Sequence, residues 1–106
     1  MYREVGSLDR VLAESKDKRI WILKHSIACP ISGRAKRLVD GFLESHPGEA
    51  VYLVIVQQQR PLSDEIAEQL NIRHETPQLL LVENGEVRQF WSHYHIKQEN
   101  LERELS

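Results

Sequence analysis

The chain contains one cysteine, Cys29, followed at once by Pro30, Ile31 and Ser32. A thiolate is a strong nucleophile, whereas the protonated thiol that dominates near neutrality is not. The setting of Cys29 favours the anion. Ile20 to His25 is a nearly continuous apolar run, the pattern of a strand buried on both faces. Four loop residues later, Pro30 suits the first position of a helix, where its missing N–H has no intrahelical partner anyway. Ile31, Ala35, Leu38, Val39, Phe42 and Leu43 then recur at helical spacing on one face. Cys29 is therefore expected at the N-terminal mouth of a helix, facing unpaired N–H groups and the positive end of the helix dipole. Such a position stabilises an anion by about 0.3–1 kcal/mol, and up to about 2 in a favourable geometry. Lys24, Arg34, Lys36 and Arg37 are close in sequence and positive. The competing reading is a structural cysteine buried in the core.

A single thiol limits the chemistry. A second thiolate, three residues on, would attack a mixed disulfide from within and release its partner. The Ser32 hydroxyl is not ionised near neutrality and cannot do this. The exchange therefore halts at the mixed disulfide until another thiol arrives. Ser32 is expected instead to donate a hydrogen bond to the thiolate. His25, at the end of the strand, is a candidate base or charge partner. His93 and His95 share a face if extended, but no further ligand pattern accompanies them, so no metal site is expected.

These residues need elements to hold them. With 106 residues, 41% hydrophobic and 28% charged, the chain is expected to form one domain over 1–106. A formal net charge of −2 gives no general attraction to nucleic acid or anionic membrane. No apolar leader or membrane-length window is evident, and one cysteine allows no internal disulfide, so a cytoplasmic location is expected. Ser7 caps a short helix through about Ser15. The helix after Cys29 ends near Ser45, before His46-Pro47-Gly48. Ala50 to Val56 is a second buried strand, and a helix begins at Pro61 or Ser63 and stops at Asn71. After Thr76-Pro77, the strand Gln78–Glu83 turns at Asn84-Gly85, a strong hairpin signal, and returns as Glu86–Trp91. A last helix covers about Lys97 to Leu105. Trp21 and Trp91 read as core or edge packing. The order is an N-terminal helix followed by βαβαββα, an α/β arrangement whose first two strands are parallel.

The run from His25 to Ser32, with Arg73-His74-Glu75-Thr76-Pro77-Gln78 later, is similar to the monothiol bacilliredoxins. Cys29-Pro30-Ile31-Ser32 resembles the Cys-x-x-Cys of thioredoxin-like proteins with the second cysteine replaced by Ser32. The resemblance spans nearly the whole chain. It implies a thioredoxin fold, with a four-stranded mixed sheet in order 2-1-3-4 and helices on both faces. It implies a cis Thr76-Pro77 bond against the thiol, with the Thr76 backbone open to an extended substrate. It implies a thiol–disulfide oxidoreductase in which Cys29 removes bacillithiol from client proteins. Bacillithiol is then a co-substrate, no cofactor is tightly bound, and a small thiol or a reductase recycles the enzyme. Arg73 and His74 are expected to line the groove and to recognise a carboxylate of the small thiol. Two alternatives share the layout. One is a glutaredoxin-like iron–sulfur carrier, disfavoured by Pro30-Ile31 where such carriers have Gly-Phe; the other is an interaction module with an inert cysteine.

Overall fold

The structure, a computed structural model, describes residues 1–105. Ser106, the last residue of the expected domain, lies outside the described residues. Among the described residues, five strands and four α-helices follow one another: β1 Arg3–Glu4, α1 Leu8–Glu14, β2 Ile20–His25, α2 Pro30–Ser45, β3 Ala50–Ile55, α3 Arg60–Gln69, β4 Gln78–Glu83, β5 Glu86–Ser92 and α4 Gln98–Arg103. A 3₁₀ turn, His93–His95, joins β5 to α4. The strands form one mixed sheet in the order β1-β3-β2-β4-β5. The last four reproduce the expected order, and β1 is an addition to it. β1 pairs in parallel with β3, Arg3 opposite Tyr52 and Glu4 opposite Leu53. Both its residues are exposed, so no apolar pattern announced it.

The apolar strand β2 is central because both its faces are covered. Trp21 and Leu23 pack under α2 and α4 with Phe42, Val51, Leu79, Leu81 and Trp91. Ile20 and Ile22 point the other way, toward α1 and α3, with Leu8, Val11, Val54, Ile66 and Leu80. β2 runs parallel to β3 and antiparallel to β4. Asn84 and Gly85 both take positive φ (53° and 75°), which brings Glu83 opposite Glu86 in the hairpin. A register shift between Leu81 and Val82 puts one extra residue into β5. Val87 therefore faces the same side as Val82, while Trp91, four residues on, reaches the opposite side beside Leu79. α3 begins at Arg60, one residue before Pro61, the earlier of the two expected starts, and α4 is shorter than expected at both ends.

Candidate active site

Strand alternation decides where each side chain near Cys29 points. His25 follows Trp21 and Leu23 onto the α2 face. There its Nδ1 lies 2.9 Å from the Ser32 hydroxyl, which also accepts the Ser26 N–H at 2.8 Å. Ser32 is fully buried, so this three-way contact fastens the first turn of α2 to the end of β2. Ser32, expected to donate to the thiolate, makes these two contacts. Burial, with the Lys36 charge nearby, lowers the His25 pKa and favours the neutral ring. Cys29 is the N-cap of α2, with extended backbone and half-buried side chain, and its carbonyl accepts the Gly33 N–H. The first turn of α2 carries no acidic residue. Arg34 stacks over the exposed Tyr94 ring, 5.5 Å from its centre, and Lys36 pairs with Asp40.

Removing the Ser32 hydroxyl leaves two buried polar groups without a partner, each costing about 1–3 kcal/mol at most sites. Ser32→Ala is expected to lower the melting temperature by about 4–8 °C for each kcal/mol lost. A variant that melts with the parent would show that this contact does not hold the site.

The second wall comes from the end of β4. Lys24 pairs with Gln78, so the chain before Gln78 runs beside His25 and Ser26. The Thr76-Pro77 bond is cis, Pro77 is buried, and the Pro77 carbonyl accepts the His93 N–H at 3.0 Å. His93–His95 is thereby held against this end of the sheet as a 3₁₀ turn, not as an extended pair. Thr76 and Ser26 line a cavity of about 250 Å³ together with Arg60, Ser63, Asp64 and His74. His74 has its Nδ1 3.4 Å from the Ser63 hydroxyl. Arg73 gives its carbonyl to the Gln78 amide but does not line this cavity.

Lys24 takes the face opposite His25. It is fully buried, and its ammonium donates to the Ser63 carbonyl at 3.3 Å. Burial lowers its pKa to about 8, opposed by the charge of Asp64. The penalty for burying the charge is complete below pH 8. It is relieved as pH rises toward 10.5, because the folded state releases its proton first. Against Lys24→Met, the parent is expected to gain roughly 2–3 kcal/mol of stability between about pH 7 and pH 10 in urea titrations. Parallel pH profiles for the two proteins would contradict this.

A family model described as monothiol bacilliredoxin BrxC matches residues 3–101. The chain belongs to the monothiol bacilliredoxin family. A solved structure provisionally described as an oxidoreductase with a thioredoxin fold is 35% identical, with a TM-score of 0.84 over 97% of this chain and 92% of the other. Thioredoxin from Fasciola hepatica is 16% identical with a TM-score of 0.71, covering 96% and 91% of the two chains. Oxidised thioredoxin from Plasmodium falciparum is 13% identical with a TM-score of 0.73, covering 99% and 98%. The last two show the fold alone. This bacilliredoxin-family chain has the thioredoxin fold and is a thiol–disulfide oxidoreductase. Among the described residues, no helix is long and apolar enough to cross a membrane.

Of the residues singled out from sequence, His25 and Ser32 touch, Thr76-Pro77 adjoins them, and His74 reaches the cavity beside Thr76. Arg73 does not. Sequence reasoning passed over Arg60, which lines that cavity, and treated Lys24 as part of the positive surroundings of Cys29. The available signal was a lysine inside a strand otherwise apolar on both faces: a charge there must find polar company.

Proposed function

We propose that Cys29 is the nucleophile of this oxidoreductase and that its substrates are client proteins whose cysteines are capped by bacillithiol. The Cys29 thiolate attacks the bacillithiol sulfur of the mixed disulfide. A bond forms between the two sulfurs, the client–bacillithiol bond breaks, and the client leaves as thiolate and takes a proton from water. Cys29 keeps the cap. A second small thiol or a partner reductase supplies the two electrons that clear it. Pro30 and Ile31 start the helix that presents the sulfur, and Ser32 secures that helix to His25 and Ser26. Thr76, beside Pro77, offers backbone to an extended substrate, as an added strand would. Arg73 and His74 flank that approach. The reading takes the chain as one domain, working in the cytoplasm without a tightly bound cofactor.

The observation that carries the proposal is a partly buried Cys29 at a helix N-cap with no second cysteine in the sequence and a Ser32 hydroxyl in contact with His25 and Ser26. One client capped in parallel with bacillithiol, glutathione or coenzyme A tests it. Bacillithiol is expected to transfer at least about tenfold faster, the scale of discrimination that a few specific contacts provide. Equal rates would overturn the choice of bacillithiol.

A further inference from the structure

Four residues, Ser26 to Cys29, carry the chain from β2 to α2. Ile27, Ala28 and Pro30 are exposed, Ile27 at 63%, so burial of apolar surface does not fix the approach to the sulfur. Hydrogen bonds do. The Ser26 N–H donates to the Ser32 hydroxyl at 2.8 Å, the Ile27 N–H to Gln57 Oε1 at 3.2 Å and the Ala28 N–H to Ser26 Oγ at 3.4 Å. Three successive N–H groups are thus each taken by a side chain. Gln57 makes a second contact, its amide donating to Ser26 Oγ at 2.7 Å. One planar side-chain amide therefore ties Ser26 to Ile27, and Ser26 Oγ passes the tie on to Ala28, next to Cys29.

The sheet holds Gln57 in turn. The Val56 N–H donates to the His25 carbonyl at 2.9 Å, just past the last register pair of β2 and β3, His25 with Ile55. Beyond it the Gln58 and Gln59 N–H groups both turn back to the Ile55 carbonyl, at 2.9 and 3.0 Å. Gln57 stands in this turn. Of the three consecutive glutamines, Gln59 turns back to the Ile55 N–H at 3.3 Å, whereas Gln57 reaches the loop before Cys29.

We infer that Gln57 is a positioning residue for Cys29: its side-chain amide fixes the Ser26-Ile27-Ala28 backbone and so the direction in which the sulfur meets a disulfide. The inference rests on the proposed role of Cys29 as nucleophile and not on the identity of the small thiol. Exchange needs the attacking, central and leaving sulfurs in line, so a small error of aim costs rate even in a fully formed thiolate. Gln57 is uncharged, and what it serves is aim rather than ionisation.

The test reads two rates at Cys29, well below the melting transition. One is transfer of a 2-mercaptoethanol cap from a client protein: the Cys29 thiolate bonds to the mercaptoethanol sulfur, the client–cap bond breaks, and the client leaves as thiolate. The other is alkylation by iodoacetamide, a small reagent that approaches from any open side. Both consume the thiolate, so its fraction cancels in their ratio. Gln57→Met keeps the length of the side chain and removes both contacts. It is expected to lower the ratio of transfer to alkylation by about five- to tenfold. Gln57→Glu retains an acceptor for the Ile27 N–H and another for the Ser26 hydroxyl, and is expected to keep most of the parental ratio. Amide hydrogen exchange reads the contact itself. Exchange at Ile27 is expected to be about three- to tenfold faster in Gln57→Met, with Ser26, held by Ser32, unchanged. An unchanged ratio or an unchanged Ile27 exchange rate in Gln57→Met overturns the inference, and so does a Gln57→Glu variant as impaired as Gln57→Met. A parent that transfers the cap no faster than Cys29→Ala overturns the proposed function and this inference with it; normal parental transfer with an unchanged ratio in Gln57→Met overturns this inference alone.

Discussion

Cys29→Ser abolishes release of a capped client, lowering the rate by at least about a thousandfold, to the level seen without enzyme. The serine hydroxyl stays protonated near neutrality and makes no stable bond to the departing sulfur, so the first step has no nucleophile. The fold is expected to survive intact. Cys29 is the N-cap of α2 and makes no side-chain cap bond, and serine is a preferred residue there. The melting temperature should therefore be equal to the parent's or higher, by up to the roughly 1 kcal/mol that a good cap supplies. Activity and stability move in different directions at this position, which separates loss of chemistry from loss of structure. A variant that still clears caps at a tenth of the parental rate would show that the sulfur is not the nucleophile.

Trp21→Ala destabilises the protein by about 3–5 kcal/mol, the range for emptying a buried aromatic site. Trp21 is fully buried in the middle of β2. Its ring meets Phe42 edge-on at 5.3 Å and stacks on Trp91 at 5.9 Å, joining α2 to the edge strand β5 through the sheet. Its indole N–H donates to Glu49 Oε1 at 2.8 Å, and Arg19 holds both oxygens of the same carboxylate at 2.9 Å. Small domains have about 5–15 kcal/mol in total, so this substitution alone approaches the limit of stability. Trp21→Phe keeps most of the packing and loses the donor, for a smaller loss of about 1–2 kcal/mol. Urea midpoints at constant m-value check both; a loss below 1 kcal/mol for the alanine variant would contradict this account of the core.

The features legible in the sequence are those in which local chemistry and tertiary packing agree. The apolar run Ile20–Leu23 could only be a doubly covered strand. Pro30 marked the start of α2 to the residue, and Asn84-Gly85 marked the hairpin because both positions require positive φ. The features that were not legible depend on partners distant in sequence. β1 exists because Arg3 and Glu4 meet the open edge of β3, and two exposed charged residues carry no strand signal. Ser32 reads as an available donor beside Cys29 until strand parity turns His25 toward it. Lys24 reads as one of several nearby charges, yet the same parity sends it to the other face, where α3 brings Ser63 and Asp64. The phase change between Val87 and Trp91 follows from a single extra residue in β5, which periodicity assigns to no position.

The central claim is that one sulfur accepts a small-thiol cap and retains it for want of a neighbour. Intact-mass spectrometry after mixing the protein with a bacillithiol-capped client, with no free thiol present, tests this directly. The expected result is a single added bacillithiol on the protein, mapped to Cys29, together with a fully reduced client; the adduct persists until free thiol is added. An unmodified protein, or a lasting disulfide between Cys29 and the client itself, would contradict it.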